Sequence, residues 1–378
     1  MKLAILGASE TFAPLYKKAH EMGIETYCVA WDKGAVCKQY ADHFRDISIV
    51  DKEKVAEFCI RERIDGIVSN ALELAVPTLA YVHDHCGLNG NTELTALQTR
   101  NKKAMRQRVA ACGACRQPQF HTFKEGDNLP EVISPVFVKP TDSSASQGVS
   151  KACNEEELQQ AILHAMDYSA NKEVLIEQFI DGAEISVESL SYHGRHYILA
   201  VTDKVTSGYP SFMEIGHHQP SNIPTRLQAD IKAALVKVLD ALGVENSASH
   251  AEFKIDEKGD FYLIEIASRG GGGHISNDLV QLSTGYDYIQ GMIEVALDIF
   301  DASSISLGSQ CAGINYITSD TLWARDFVKQ HLKSDWLVKY DIDTPLKEIR
   351  RYQDRTEYFI YQSDHRIDIH EEDFNFRG

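Results

Sequence analysis

Two glutamates stand where a predicted hairpin could bring their carboxylates together. Residues 250–255 and 261–266 are largely apolar runs joined by the turn-forming residues 256–259, which predicts two antiparallel strands. Glu252 and Glu265 are thirteen residues apart, so they can lie side by side on one face of that hairpin. Adjacent anions repel unless a hard cation lies between them, and Mg²⁺ is usually held by one or two carboxylates plus substrate phosphates. The pattern therefore predicts a magnesium site, with a solvated hairpin face as the alternative.

An arginine and four glycines follow this hairpin directly. Arg269 comes four residues after Glu265 and precedes Gly270, Gly271, Gly272 and Gly273. A guanidinium can hold a carboxylate or a phosphate through two parallel hydrogen bonds, and glycines allow a ligand to approach the backbone. Because four successive glycines are costly to order, a functional loop is a better interpretation than an unstructured linker.

A lysine ends a second apolar run. Lys139 follows residues 136–138, and a loop of small and hydroxyl-bearing residues occupies positions 142–149. Backbone amides and the lysine charge could together cradle phosphates, although no Walker A pattern is present. A serine-rich loop without a ligand is the alternative. The candidate phosphate-binding hydroxyls are those of Ser143, Ser144 and Ser146.

A third segment breaks from an apolar strand into a connector at residues 174–184. Its backbone N–H and C=O groups could pair with the edge of an adenine ring. Glu184, two residues beyond Gly182, could accept hydrogen bonds from ribose hydroxyls. Taken alone, these acids could equally be surface residues.

Short apolar runs alternate with helical patterns in the first ninety residues. We expect strands at 3–6, 26–30 and 66–69. Helices at 12–22, 55–63 and 74–82 would connect them, and such alternation predicts a parallel sheet with right-handed crossovers. Gly7-Ala8-Ser9 after the first strand is half of a dinucleotide fingerprint, which a tight turn also explains.

The middle of the chain is richer in strands that could pair with one another. A single amphipathic helix is expected over 92–111, and the apolar pattern thins beyond about residue 300. These features predict an α+β unit after the parallel-sheet region. Its strands are expected at 136–138, 174–177, 184–190 and 198–202, besides the hairpin.

Composition restricts the class of protein. The 378 residues are 43% hydrophobic and 25% charged, as expected of a folded protein, and the formal net charge of −17 argues against nucleic acid or anionic membranes as partners. No apolar run reaches the length of a membrane span, so a cytoplasmic location is expected. Eight cysteines are too few for a disulfide scaffold, and the Cys112–Cys115 pair lacks the second pair that a zinc ribbon needs.

Taken in order, these segments resemble the ATP-grasp superfamily, in particular its carboxylate–amine ligase branch, which includes L-amino acid ligases. The resemblance covers roughly residues 1–300 and is strongest over 101–275. It implies an α/β fold with an N-terminal pre-ATP-grasp domain at 1–90, a two-lobed ATP-grasp core at 91–300 and a C-terminal subdomain at 301–378. ATP would lie between the two lobes.

The resemblance also implies a role for each candidate residue. Lys102 and Lys139 match the two nucleotide lysines, Glu252 and Glu265 match the metal carboxylates, and Arg269 matches the arginine that holds the reacting acyl phosphate. His217, in the segment 214–221, matches a substrate-site histidine, with a surface histidine in a loop as the alternative. The remaining nucleotide-binding positions are the adenine segment Glu177, Gln178, Phe179 and Ile180 and the ribose acid Glu184.

The implied cofactors are ATP and Mg²⁺, with two ions expected and Mn²⁺ as a substitute, and a homodimer is one assembly that the resemblance allows. The implied reaction joins a small-molecule carboxylate to an amine through an acyl phosphate, with release of ADP and phosphate. The alternatives are another ATP-grasp enzyme, such as a carboxylase-type or purine-pathway ligase, and a non-catalytic ATP- or metabolite-binding protein. Two departures weaken the match, since Ala267 stands where many members have asparagine and Ala145 where the loop often has glycine.

Overall fold

The computed structural model describes residues 1–131, 135–143, 147–208, 213–344 and 354–369. In this part of the chain the strands form three sheets, with the orders β3-β2-β1-β4, β5-β8-β6-β7 and β13-β12-β9-β10-β11-β14-β16-β15. The strands are β1 (Lys2–Leu6), β2 (Glu25–Ala30), β3 (His43–Asp46), β4 (Gly66–Val68), β5 (Phe120–Lys124), β6 (Val136–Pro140), β7 (Ser150–Ala152), β8 (Glu173–Gln178), β9 (Ala183–Tyr192), β10 (Arg195–Thr206), β11 (Glu214–Gln219), β12 (Ser247–Ile255), β13 (Phe261–Ala267), β14 (Cys311–Ile317), β15 (Leu337–Asp341) and β16 (Glu357–Ser363). The α-helices are α1 (Ala13–Glu21), α2 (Lys52–Glu62), α3 (Val76–Cys86), α4 (Glu93–Arg100), α5 (Lys102–Cys112), α6 (Glu155–Asp167), α7 (Thr225–Leu242), α8 (Val280–Thr284), α9 (Tyr288–Ala296) and α10 (Trp323–Gln330).

The first sheet is parallel and buried on both faces. In β1, Leu3 and Ile5 pack into one apolar cluster, and Ala4 and Leu6 pack into another on the opposite face. Alternate side chains of a strand point to opposite faces, so a strand covered on both sides must be apolar throughout. The predicted parallel sheet is confirmed.

The prediction of one continuous helix over 92–111 is wrong. Asn101 has an extended backbone, with φ −87° and ψ 114°, and it separates α4 from α5. Its side-chain oxygen accepts a hydrogen bond from the backbone N–H of Ala104 at 3.0 Å. Asparagine is a favoured N-cap, and apolar periodicity does not register such a break because both helices keep the same pattern. The break places Lys102 in the first turn of α5.

The two other sheets contain the remaining strands of the described chain. The small sheet carries α6 on one face, where α6 contributes Leu158, Ala161 and Ile162 to a shared apolar cluster. The large sheet continues through β14, β16 and β15, which lie beyond the point where the apolar pattern thins. The α/β class is therefore confirmed, while the predicted domain boundaries remain predictions.

Strand register sets which side chains meet on the large sheet. Glu252 on β12 pairs directly with Glu265 on β13, as the hairpin spacing predicted, and the register shifts immediately after this pair. Lys204 on β10 pairs directly with Glu184 on β9. Bulges of this kind are frequent beside active sites because they redirect side chains.

Within the described residues, no helix is both long enough and apolar enough to cross a membrane. All eight cysteines lie in described ranges and carry free thiols.

Candidate active site

The predicted metal carboxylates lie on one partly open face of the large sheet. The side chains of Glu252 and Glu265 are 22% and 36% exposed. Lys102 Nζ lies 3.0 Å from Glu265 Oε1, and Lys204 Nζ lies 2.8 Å from Glu252 Oε1. The two anions are thus compensated by ammonium groups, which sequence reasoning had not assigned to them.

Lys204 is the centre of this charge cluster. Its side chain is only 2% exposed, and its ammonium lies 2.8 Å from Glu184, 2.9 Å from Glu214 and 2.8 Å from Glu252. Burial alone would lower the pKa of Lys204, but the surrounding carboxylates outweigh it and raise that pKa well above its ordinary value. Lys204 therefore connects the predicted ribose acid with a predicted metal ligand. The only sequence signal for it was a lysine at the end of a mainly apolar strand.

The carboxylates of Glu252, Glu265 and Glu214 stay ionised, because nearby cations outweigh the effect of their partial burial. Burial would raise the pKa of Glu252, but Lys204 and His250 hold it below its ordinary range. For Glu265, burial is outweighed by Lys102, so that its pKa is also lowered. Glu214 behaves in the same way, because Lys204 outweighs its burial and holds its pKa well below the usual value.

Lys102 links the metal carboxylates to the predicted phosphate loop. Its ammonium also donates to the carbonyl oxygen of Ser143 at 2.7 Å, and its backbone N–H donates to the carbonyl of Thr141 at 2.9 Å. The backbone of Ser143 therefore lies beside Lys102, and the role of its hydroxyl in binding phosphate stays a prediction. Ser144 and Ser146 lie outside the described residues.

Lys139 belongs to a second, fully buried ion cluster. Its ammonium lies 2.5 Å from Glu177 Oε2, and Arg106 Nε donates to Glu177 Oε1 at 2.5 Å. Burial opposes ionisation of Glu177, but Arg106 and Lys139 lower its pKa to about 2. Burial in turn lowers the pKa of Lys139, although Glu177 opposes that effect. The Glu177 carboxylate is thus occupied by cations, and its place in an adenine site stays a prediction.

The connector between β8 and β9 joins the small sheet to the large one. Gln178 ends β8, the Phe179 ring lies edge-on to Phe137, and Ile180 is buried. Gly182 has φ +143°, and a Cβ there would lie 1.9 Å from the carbonyl oxygen of Ile255, so only glycine fits this crossing. The predicted adenine segment therefore sits at the junction of the two sheets.

His217 is not a surface histidine in a loop, since it lies in β11 and is almost fully buried. Glu214 Oε2 is 3.5 Å from its Nε2, and neither ring nitrogen makes a hydrogen bond to the described residues. Burial lowers the pKa of His217, so the ring is neutral and can accept or donate one hydrogen bond. Arg355 contacts the same Glu214 carboxylate at 3.2 Å and stacks over the Tyr316 ring at 4.3 Å.

Arg269 reaches away from the sheet toward the N-terminal region. Its Nε donates to Glu73 Oε2 at 2.8 Å, and its Nη1 donates to the carbonyl of Gly270 at 2.9 Å. Glu73 lies in a short 3₁₀ helix just after β4. Sequence reasoning missed Glu73, Arg106, Glu214 and Arg355, because each acts through a partner distant in the chain.

The four-glycine loop packs closely against side chains of the site. A Cβ on Gly271 would lie 2.8 Å from His250 Nδ1, and one on Gly273 would lie 2.9 Å from His217 Nε2. The glycines were expected to admit a ligand, and the structure shows that they also admit the buried histidines of the large sheet.

The paired carboxylates suit a magnesium ion that would bind together with a nucleotide. In the described part of the chain, no group of three or more His, Cys, Asp or Glu side chains could enclose a metal. The paired carboxylates of Glu252 and Glu265 supply two hard oxygen ligands, and Mg²⁺ characteristically completes its shell with phosphates and water.

Comparison with known proteins agrees with this geometry for the central part of the chain. Residues 132–278 match the ATP-grasp domain family, so the chain contains an ATP-grasp domain and the resemblance expected from its motifs is confirmed.

The chain resembles named ligases in sequence. It is 25% identical over 256 residues to alanine–anticapsin ligase of Bacillus subtilis strain 168, an alignment that covers 61% of this chain and 53% of that protein. It is 27% identical over 203 residues to D-alanine–D-alanine ligase of Parabacteroides distasonis, covering 50% of this chain and 58% of that one. The chain thus spans little more than half the length of these relatives.

Solved structures share the fold over nearly the whole chain. An L-amino acid ligase from Bacillus licheniformis superposes with a TM-score of 0.81 at 21% identity, covering 96% of this chain and 93% of that one. Phosphoribosylglycinamide synthetase from Anaerococcus prevotii gives a TM-score of 0.76 at 20% identity, covering 96% and 94%. At these identities the likeness concerns the fold.

Proposed function

We propose that the protein is an ATP-dependent ligase that joins a carboxylate to an amine through an acyl phosphate. The observation that carries the proposal is the directly paired Glu252 and Glu265, each bonded to a lysine ammonium, on a partly open face. Such a face suits a polyanionic nucleotide accompanied by a divalent cation. The named relatives, which are ligases, support the same reaction class.

The first step would be phosphoryl transfer. A carboxylate oxygen of the substrate attacks the γ-phosphorus of ATP, the bond to the bridging oxygen breaks, and ADP leaves. Lys102 would exchange its carboxylate partner for phosphate oxygens, Lys139 would add positive charge from the small sheet, and the buried Lys204 would stay with Glu252. Mg²⁺ on Glu252 and Glu265 would neutralise charge on the β- and γ-phosphates. Two ions, with Mn²⁺ as a substitute, remain our expectation.

The second step would form the amide. The amine nitrogen attacks the acyl carbon, phosphate leaves with the bonding electrons, and the nitrogen loses a proton. Arg269 would hold the acyl phosphate, where negative charge develops. We place the substrates on the side of the site that contains Glu214, His217 and Arg355, because the neutral buried ring of His217 can accept a hydrogen bond from an amine.

The reaction can be tested without knowing either substrate. ADP release is measured with pools of amino acids and small carboxylates, and active pools are then divided. Binding of a non-hydrolysable ATP analogue is followed by calorimetry with and without Mg²⁺. No detectable binding at millimolar nucleotide would remove the basis of the assignment. Glu265→Gln should lose turnover, whereas Glu257→Gln, on the exposed turn of the same hairpin, should not.

Arg269→Ala separates a ligase from a nucleotide-binding protein. We expect near-normal affinity for the ATP analogue and a rate of ADP formation about a hundredfold lower, since losing a charge-assisted bond at a developing anion costs about 3 kcal/mol. Arg226→Ala, an exposed substitution on α7, is the matched control. Unchanged turnover in a folded Arg269→Ala protein would count against the acyl-phosphate mechanism.

A further inference from the structure

A buried histidine connects a second carboxylate to the predicted metal ligand Glu252. His250 on β12 and Glu188 on β9 are direct cross-strand partners, and Glu188 is completely buried. His250 Nδ1 lies 2.6 Å from Glu188 Oε1, and Nε2 lies 3.1 Å from Glu252 Oε1. Glu188, His250 and Glu252 thus form a continuous chain from the interior of the sheet to its open face.

Each ring nitrogen of His250 faces a different carboxylate. An imidazole N–H donates and a carboxylate oxygen accepts, so Nδ1 is the donor facing Glu188 and Nε2 is the donor facing Glu252. The imidazole ring therefore bridges the two carboxylates.

The chain of contacts is held in place from several sides. Ser186 Oγ donates to Glu188 Oε1 at 3.0 Å, and Gly271 packs so closely that a Cβ there would lie 2.9 Å from Glu188 Oε2. His250 and Glu188 are therefore both packed closely against Gly271 of the glycine loop.

The two donors of Glu252 converge on the same oxygen. Within the described part of the chain, Lys204 Nζ and His250 Nε2 both contact Glu252 Oε1, at 2.8 and 3.1 Å. Holding Oε1 on two sides fixes the plane of the carboxylate and leaves Oε2 to meet a ligand. Partners of this kind that orient a ligating side chain typically contribute ten- to hundredfold to metal affinity.

We propose that His250, itself anchored by Glu188, is a positioning residue that presents Glu252 Oε2 to the metal of a magnesium–nucleotide complex. This inference rests on the proposed function, because it requires the site to bind such a complex. It predicts that the Mg²⁺-dependent affinity for nucleotide depends on the contact from His250 to Glu252 and not on the size of the imidazole ring.

Two substitutions separate these contributions. His250→Asn keeps a donor at the position of Nδ1 for Glu188 and loses the donor to Glu252, whereas His250→Gln places a donor at the reach of Nε2. Calorimetry with a non-hydrolysable ATP analogue measures affinity with and without Mg²⁺. We expect His250→Asn to weaken the Mg²⁺-dependent affinity about tenfold or more, with less than a twofold change in the absence of Mg²⁺. His250→Gln should recover most of that loss.

A matched control lies elsewhere in the same sheet. His196 on β10 also has both ring nitrogens bonded, to Ser191 at 2.7 Å and Asp240 at 3.2 Å, and His196→Asn should leave Mg²⁺-dependent affinity unchanged. Wild-type affinity in a folded His250→Asn protein would overturn the inference. So would equal losses in the Asn and Gln variants that track their loss of thermal stability. If the wild-type protein itself shows no Mg²⁺-dependent binding, the proposed function fails, and the inference fails with it.

Discussion

At the scale of single residues, the site is a cluster of carboxylates whose mutual repulsion is offset by a few buried cations. From the sequence we expected the unpaired Glu252 and Glu265 to repel each other in the absence of metal. The structure instead gives each a lysine, and it surrounds Lys204 with three carboxylates. Since breaking one partner of such a cluster leaves an uncompensated buried charge, the lysines stabilise the site.

The second ion cluster gives a prediction about acid stability. Glu177→Gln leaves Arg106 and Lys139 buried without their anion, so we expect the free energy of unfolding at neutral pH to fall by roughly 3–5 kcal/mol. Because folding lowers the pKa of Glu177 from 4.5 to about 2, its stabilisation is complete above pH 4.5 and is lost as the pH falls through about 2. Urea unfolding from pH 7 to pH 2.5 should show the gap between wild type and variant narrowing below pH 4.5.

The exposed substitution Glu156→Gln on α6 is the control for this comparison. Its free energy of unfolding should stay close to that of the wild type at every pH. A gap for Glu177→Gln that stayed constant down to pH 2.5 would show that the ion pair is not its source.

At the scale of elements, the break between α4 and α5 decides where Lys102 stands. In one continuous helix, Lys102 would lie in the helix interior and not in a first turn. The Asn101 cap starts a new helix and directs the Lys102 ammonium to Ser143 and Glu265. A single capping side chain thus positions one of the two predicted nucleotide lysines.

Asn101→Ala tests this role against an equivalent cap elsewhere. Asn154 caps α6 through the backbone N–H of Glu157 at 2.9 Å, so both Asn101→Ala and Asn154→Ala should lose about 1 kcal/mol in urea unfolding. Only Asn101→Ala should also weaken binding of the ATP analogue. Equal nucleotide affinity in the two variants would mean that the cap stabilises α5 without placing Lys102.

At the scale of the whole molecule, ion pairs tie the three sheets to one site. Arg106 donates to Glu177 on the small sheet and to the carbonyls of Leu263 and Ile264 on the large sheet. Glu73 joins the parallel-sheet region to Arg269 at the end of β13. Contacts between the sheets therefore fix the residues predicted to bind the nucleotide relative to the arginine predicted to bind the acyl phosphate.

Glu73→Gln tests the connection to the parallel-sheet region. A hydrogen bond to a charged group contributes about 1.5–3 kcal/mol, so we expect ADP formation to fall about ten- to hundredfold if that energy holds Arg269 in place. Affinity for the ATP analogue should change little. Glu53→Gln, exposed in the first turn of α2, is the control. Wild-type turnover in Glu73→Gln would show that Arg269 needs no support from this side.

The sequence predicted those features that depend on near neighbours in the chain. A short turn between two apolar runs sets the register of a hairpin, so Glu252 and Glu265 could be paired from their spacing alone. The buried parallel strands were equally predictable, because burial on both faces requires a continuous apolar run. The strands beyond residue 300 were missed, although β14 is largely apolar, because charges of both signs interrupt the apolar pattern between these strands.

Only the tertiary structure decided which charges neutralise these carboxylates. Lys204 meets Glu184 and Glu252 because β9, β10 and β12 lie in register within one sheet, and Arg269 meets Glu73 across 196 positions of the chain. Local spacing cannot specify such contacts, because they depend on how separate strands and helices are brought together by packing. The sequence by itself thus determined the paired carboxylates, whereas the cations that make them stable and oriented follow from long-range pairing of distant strands.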